Sequence, residues 1–237
     1  MMTIEFDDKM AISEHIEEFR QRLLFCVLIV FLSTLFCFNE IKNIVRFFQA
    51  PAIGIKFLQF SPGAYFFTSV KIAFFCAILI SSPVMVYQFI LYLLPGLTTS
   101  EQTILISIGS GSVILFFSGL AFSYFFLGPA ALHFFISYGS EVVEPFWAFD
   151  QYFDFFGVLV FSTGLVFQVP ALQFLLGFFG LVTGKKMISK SKYVVVICTI
   201  ISAIVTPSTD PLTQLLLSLA LFSLYLFGSG FLIFLRK

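Results

Sequence analysis

The feature of this sequence that most restricts its fold is where charge is missing. Its 13 basic and 13 acidic residues leave six long intervals without Asp, Glu, Lys or Arg, at residues 23–39, 72–100, 102–140, 155–184, 193–209 and 211–235. A helix crossing a hydrocarbon layer of about 30 Å needs about 20 apolar residues. The intervals therefore predict an all-α polytopic membrane protein, one domain over residues 1–237 with six transmembrane helices. The expected spans are about 23–39, 71–94, 104–127, 155–176, 193–206 and 212–234. Gly128–Pro129 is expected to end the third helix after Leu127 and leave an interfacial segment to Tyr138. The fifth span is short: 14 residues reach only about 21 Å, so it must thin the bilayer or carry polar flanks. A single re-entrant hairpin over 193–233 is the alternative, and Pro207 and Pro211 suit a tight turn in either case.

Composition removes other classes. Charged residues are 11% of the chain, against about 25% in a soluble domain, and mean hydropathy is +1.03. A soluble enzyme and a disordered tail are excluded. Balanced charge offers no basic face to a phosphate backbone, so no nucleic-acid partner is expected. With six spans, one side of the membrane receives nine bases (Lys9, Arg20, Arg22, Lys185, Lys186, Lys190, Lys192, Arg236, Lys237) and the other four (Lys42, Arg46, Lys56, Lys71). That bias predicts both termini on the cytoplasmic or stromal side. Six acids within the first 22 residues argue against a cleavable signal peptide. Cys26, Cys37, Cys76 and Cys198 lie in apolar spans without a CxxC and read as small buried hydrophobes. Phe at 36 residues with Arg at four suits an AT-rich organellar gene.

Chemistry-bearing motifs are sparse. Gly180-Leu-Val-Thr-Gly184-Lys185-Lys186 has three residues between its glycines, not four, and Lys where a P-loop needs Ser or Thr. It reads as a helix end and a basic loop. His15 and His133 lie in different segments. No catalytic residue, metal site or cofactor is expected.

The informative residues are therefore isolated polar groups. Segment 12–22 reads as an interfacial amphipathic helix with Ile12, Ile16, Phe19 and Leu23 on one stripe. Ser13 can cap it, and Glu14, Glu17 and Glu18 lie in its early turns. Glu18 and Arg22 are spaced to pair at i,i+4. Glu101 is the sole charge between Lys71 and Glu141. It follows Pro95-Gly96-Leu97, where it can cap the third helix or offer a second carboxylate beside Glu18. Gln168 is an amide inside the fourth span, two residues before Pro170, suited to bridging helices or to satisfying a carbonyl freed by the proline. Pro83 is expected to bend helix 2. Asp210 lies in the turn Thr206-Pro207-Ser208-Thr209-Asp210-Pro211, near bilayer depth if helix 5 is short. Phe146, Trp147 and Phe149 read as an interfacial aromatic belt.

Taken together, these residues resemble the TatC family, the multi-span core of the twin-arginine (Sec-independent) protein translocase. His15-Ile-Glu-Glu18-Phe-Arg20-Gln-Arg22-Leu is similar to its N-terminal signature. Ser61-Pro62-Gly63-Ala64-Tyr65-Phe66 with Lys71, Pro83-Val-Met-Val-Tyr87-Gln88, Pro95-Gly96-Leu97 before Glu101, Phe167-Gln168-Val169-Pro170 and Thr206-to-Gln214 resemble later family segments in order. Asp150-to-Phe155 and the longer last turn resemble the cyanobacterial and plastid branch. The likeness covers roughly residues 13–230.

The resemblance implies a receptor and scaffold arranged as a concave, glove-like bundle with short helices 5 and 6. It implies that Glu18 and Glu101 recognise the paired arginines of a cargo signal peptide, with Arg20 and Tyr92 around them. Gln168 would face the cavity, Asp210 would be the acid of the last outer loop, and Thr206 and Gln214 would dock single-span TatA- or TatB-type subunits. The implied setting is a lipid bilayer, thylakoid first and bacterial or mitochondrial inner membrane second, with several copies in a larger, proton-gradient-driven complex. Ala64, the base-poor loop around Glu101, and Leu226 depart from the family pattern. A secondary transporter for a small solute is the rival reading, although the spans offer no midplane charges and the halves no repeat.

Overall fold

A computed structural model describes residues 12–52, 55–139, 146–207 and 210–234. The charges at 5–9, 141, 144 and 236–237, Ser208 and Thr209, and the side chains of Ile12 and Ser13 lie outside the described residues. The apolar intervals form helices: α1 (Ile12–Asn39), α3 (Ala64–Leu93), α4 (Thr99–Phe122), α5 (Gly128–Gly139), α6 (Phe149–Val166), α7 (Val169–Phe178), α9 (Ser191–Val205) and α10 (Pro211–Phe234). Two shorter helices, α2 (Ile41–Gln49) and α8 (Gly184–Ser189), lie in connections. Five helical runs are long and apolar enough to cross a membrane, Glu14–Asn39, Ala64–Gly96, Thr99–Tyr138, Phe149–Phe178 and Pro211–Phe234, and Ser191–Val205 is a shorter sixth.

The structure corrects several expected boundaries. Segment 12–22 is no separate helix; it continues without a break into the first span. Gly128–Pro129 does not end the third helix. A π-helical turn at Ser123–Leu127 takes up the disruption, with the Gly128 N–H donating to Ser123 O, and α5 carries on. Widening the turn there absorbs the mismatch that Pro129 would otherwise turn into a break. Only the fifth span is short. α10 has 24 residues, about 36 Å, so α9 and α10 are two helices and no single hairpin. Helix 2 begins at Ala64, not near 71, behind Gly63 at φ 87°.

Pro83 and Pro170 are accommodated in different ways. Pro83 removes the donor to Leu79 O, and the Ser82 hydroxyl donates to that carbonyl at 2.7 Å, so α3 continues through it. The fourth span instead divides at Phe167–Gln168 into α6 and α7, with Pro170 in the first turn of α7.

The expected all-α architecture carries one small addition. β1 (Lys56–Leu58) and β2 (Phe146–Ala148) pair in parallel, Phe57 opposite Trp147, and join two connections at one end of the bundle. Beneath them Phe48, Phe149, Tyr152, Phe153 and Phe156 form a buried aromatic cluster with Ala73 and Ala77. Phe149, expected in an interfacial belt, is core at 7% exposed. The Tyr152 hydroxyl donates to Phe48 O at 2.7 Å and that of Tyr124 to Phe47 O at 2.8 Å, which pins α2 to α6 and to the π turn. A second cluster gathers Leu127, Leu159, Leu217 and Leu221.

α4 and α6 cross closely. A Cβ on Gly119 would sit 2.8 Å from the Phe167 ring, and one on Gly164 would sit 2.8 Å from Leu120 and Phe116. Small residues at such crossings let helix backbones approach where no hydrophobic drive separates protein from lipid. Gly164→Leu is expected to destabilise the protein by about 1–3 kcal/mol through overpacking. Tyr152→Phe, losing one hydrogen bond, is expected to cost about 1 kcal/mol. Thermal unfolding in detergent, followed by loss of the monodisperse chromatographic peak, checks both; an unchanged midpoint for Gly164→Leu would contradict the close crossing.

Candidate functional site

The polar residues singled out in the sequence fall into three places. The first is built where the start of α1 packs against the end of α3. The Glu18 carboxylate accepts from Arg22 through one oxygen, Oε1, at 2.8 Å from Nε and 2.5 Å from Nη2. The i,i+4 spacing on a continuous helix makes this pair. Arg22 also donates to Gln88 Oε1 on α3 at 3.0 Å, which fixes the guanidinium between two helices. Glu18 Oε2 is buried and has no hydrogen-bond partner among the described residues; the His15 Nδ1 lies 3.9 Å from it. His15 stacks on Tyr92 with ring centroids 4.3 Å apart, and Phe19 packs on the same tyrosine. A cavity of about 400 Å³ opens beside the pair, lined by Phe19, Leu23, Met85, Phe89, Tyr92 and Arg22 among others.

Glu101 stands on the same end of the bundle. α3 runs from Tyr92 through a 3-10 turn at Leu94–Gly96 into Thr98, which opens α4. The Gln102 amide donates to Leu94 O and Leu97 O and fixes that turn. Glu101 closes a capping box: its Oε2 accepts from the Thr98 N–H at 2.9 Å and the Thr98 hydroxyl at 2.8 Å. The expected cap is therefore present. Glu101 Oε1 makes no hydrogen bond among the described residues, so this carboxylate, like that of Glu18, keeps one oxygen uncommitted. Arg20 is not drawn into the cluster around Glu18; it forms an exposed pair with Glu17 at 2.8 Å.

The second place is the fourth span. Gln168 does not turn back to a carbonyl freed by Pro170. Its amide reaches α4, where the Ser112 hydroxyl donates to Oε1 at 2.7 Å and Nε2 donates to Ser112 O at 3.0 Å. This reciprocal bridge serves as interhelical glue. A further amide went unread in the sequence. Gln173 is 4% exposed and donates to Ser229 Oγ at 3.0 Å and Tyr225 O at 3.2 Å on α10. The signal for it was in view: a second Gln inside the charge-free interval 155–184.

The third place is the turn between α9 and α10. Asp210 is 3% exposed and accepts from the Thr213 N–H at 2.9 Å, as an N-terminal acid does. Thr206 is buried and its hydroxyl donates to Ser202 O at 2.8 Å. Gln214 donates to Thr199 O at 3.4 Å and joins α10 to α9. The glycine-rich Gly180–Gly184 segment is a helix end: Gly180 takes φ 70° and the Leu181 N–H donates back to Leu176 O at 3.0 Å.

Comparison with known proteins shows the family of the chain. Residues 14–219 match the family described as Sec-independent protein translocase protein (TatC). The chain is 52% identical over 233 residues to the tatC-like protein ycf43 of Porphyra purpurea, which spans 98% of this chain and 92% of that one. It is 49% identical over 225 residues to the chloroplastic Sec-independent protein translocase protein TATC of Arabidopsis thaliana, over 94% of this chain and 66% of that one. A crystal structure of the twin arginine translocase receptor TatC superposes with a TM-score of 0.75 at 29% identity, covering 92% of this chain and 99% of that one. The chain belongs to the TatC family of Sec-independent protein translocase proteins.

Proposed function

We propose that this chain is the receptor subunit of a twin-arginine translocase and that Glu18 and Glu101 take the paired arginines of a cargo signal peptide. As a TatC-family protein it is a translocase component and not an enzyme, and the small-solute transporter reading falls with that assignment. The observation that carries the site is the state of the two carboxylates. Each commits one oxygen to its own scaffold, Arg22 for Glu18 and Thr98 for Glu101, and leaves the other without a hydrogen bond among the described residues. A guanidinium presents a planar fork of donors that such oxygens suit, and a lysine ammonium lacks that fork. The apolar cavity beside Glu18 suits an apolar residue following an arginine, with Tyr92 as a wall. Arg20 would act from outside this cluster.

The signal's apolar segment would then lie along the inner faces of the helices near Gln168. Asp210, Thr206 and Gln214 are tied up in bonds within the turn; they would set the shape of the surface where single-span partner subunits assemble. Several copies would share one complex, with both termini on the stromal side of the thylakoid membrane. The plastid setting is supported by the chloroplastic Arabidopsis relative and the phenylalanine-rich composition.

Two variants separate charge from structure. Glu101→Gln keeps a residue able to close the capping box and removes only the charge. Glu18→Gln keeps an oxygen for Arg22. Both are expected to weaken binding of a labelled twin-arginine peptide to membranes containing this chain, Glu18→Gln by at least about tenfold, and a twin-lysine peptide is expected to bind poorly throughout. Equal binding of the two peptides, unaltered by either variant, would show the glutamates to be structural alone. Gln168→Leu is expected to preserve the arginine preference but lower stability by about 0.6–2 kcal/mol through loss of the Ser112 bridge, readable as a lower melting midpoint in detergent.

A further inference from the structure

The basic residues of the connection between α7 and α9 are not used by the signal-peptide site. Between Asp154 and Asp210 the sequence carries Lys185, Lys186, Lys190 and Lys192 and no acid. All four lysines are exposed, and among the described residues none has a carboxylate within 4 Å. Two of them, Lys186 and Lys190, border an opening rather than a flat surface. A cavity of about 430 Å³ lies between the connection, α8, α9 and α10, with Leu181, Met187, Val194 and Ile197 on its apolar walls and Lys186 and Lys190 at its edge.

The walls are held in place by polar bonds. Tyr225 on α10 donates its hydroxyl to Met187 O at 2.9 Å, and Gln173 on α7 donates to Ser229 Oγ. α8 sits tight against α10, where a Cβ on Gly184 would lie 2.9 Å from Ser229 O. The cavity also lies where one apolar helical run ends at Phe178 and the next begins at Ser191, a level at which lipid headgroups would sit in a bilayer. Leu181 at 69% and Tyr193 at 60% exposure border it on the outside. Lys192 Nζ lies 5.0 Å over the Tyr193 ring, a cation–π contact that keeps this base at the same level.

We propose that this cavity binds one anionic membrane lipid, with an acyl chain between α9 and α10 and the phosphate or sulfonate headgroup held by Lys186 and Lys190. A soluble anion would use the lysines and leave the apolar walls empty. A neutral lipid would use the walls and leave the two ammonium groups at the mouth, Lys186 and Lys190, without a counter-charge. Only an anionic amphiphile uses both, and basic pockets between membrane helices bind such headgroups.

The test uses the full-length protein in phosphatidylcholine nanodiscs doped with phosphatidylglycerol, with retained lipid counted by native mass spectrometry after detergent extraction. Each lysine near an anionic headgroup contributes about fivefold, so a preference for phosphatidylglycerol of roughly twentyfold is expected. Lys186→Gln/Lys190→Gln is expected to abolish it, and Lys42→Gln/Lys56→Gln, at the other end of the bundle, to leave it intact. An unchanged chromatographic profile and melting midpoint in pure phosphatidylcholine would establish that the first pair still folds. Wild-type retention without headgroup preference, or a preference that survives Lys186→Gln/Lys190→Gln, overturns the proposal. Full displacement of phosphatidylglycerol by inorganic phosphate would reassign the lysines to a soluble anion. Full displacement by a poly-glutamate peptide would reassign them to an acidic protein partner. Either result also overturns it.

Discussion

A carbonyl stranded in hydrocarbon has no water to accept from, and this constraint governs every irregularity in the fold. Some interruptions are met by a specific side-chain donor. The Ser82 hydroxyl serves the carbonyl that Pro83 frees, and the Phe47 and Phe48 carbonyls at the end of α2 take tyrosine hydroxyls. Helix pairing follows the same rule. Ser81 donates to Ser33 between α3 and α1, Gln168 and Ser112 bond reciprocally between α7 and α4, and Gln173 reaches α10. Apolar area cannot choose among these pairings, because lipid is as apolar as the helices. Glycine contacts and a few hydroxyls and amides choose instead.

The candidate site applies this economy of polar groups at the membrane boundary. Glu18 would be an expensive isolated charge on an apolar helix. Arg22 neutralises it and Gln88 holds Arg22, so the carboxylate stays in place while one oxygen remains uncommitted. Glu101 reaches the same condition through a helix cap. Two unrelated local devices thus leave two half-satisfied carboxylates at one end of the bundle.

The sequence disclosed those parts of the fold that depend on exclusion. Charge cannot sit in hydrocarbon, so the gaps between charges marked the spans, and the i,i+4 spacing of Glu18 and Arg22 foretold their pair. The parts it hid depend on three-dimensional compensation. Gly128–Pro129 looks like a helix end, and only the neighbouring π turn makes it passable. The Arg22–Gln88 bond joins residues 66 positions apart, a distance at which spacing has no predictive power. β1 and β2 are three residues each, too short to leave an alternating pattern. Gln173 could have been noticed as a second amide in an apolar span, but its partners on α10 could not.

The small β1–β2 ladder bears on how the chain is assembled. Its strands are some 90 residues apart, and between them lie α3, α4 and α5. Closing so long a loop carries an entropic cost that must be met before the pairing gives anything back. The ladder therefore waits on α3, α4 and α5, but both strands precede α6 and the pairing needs nothing beyond Ala148. The aromatic cluster beneath it draws on α2, α3 and α6, so this end of the protein is fastened only where α6 has joined α3. The opposite end, where the start of α1 packs on the end of α3, depends on no such long-range strand pairing among the described residues.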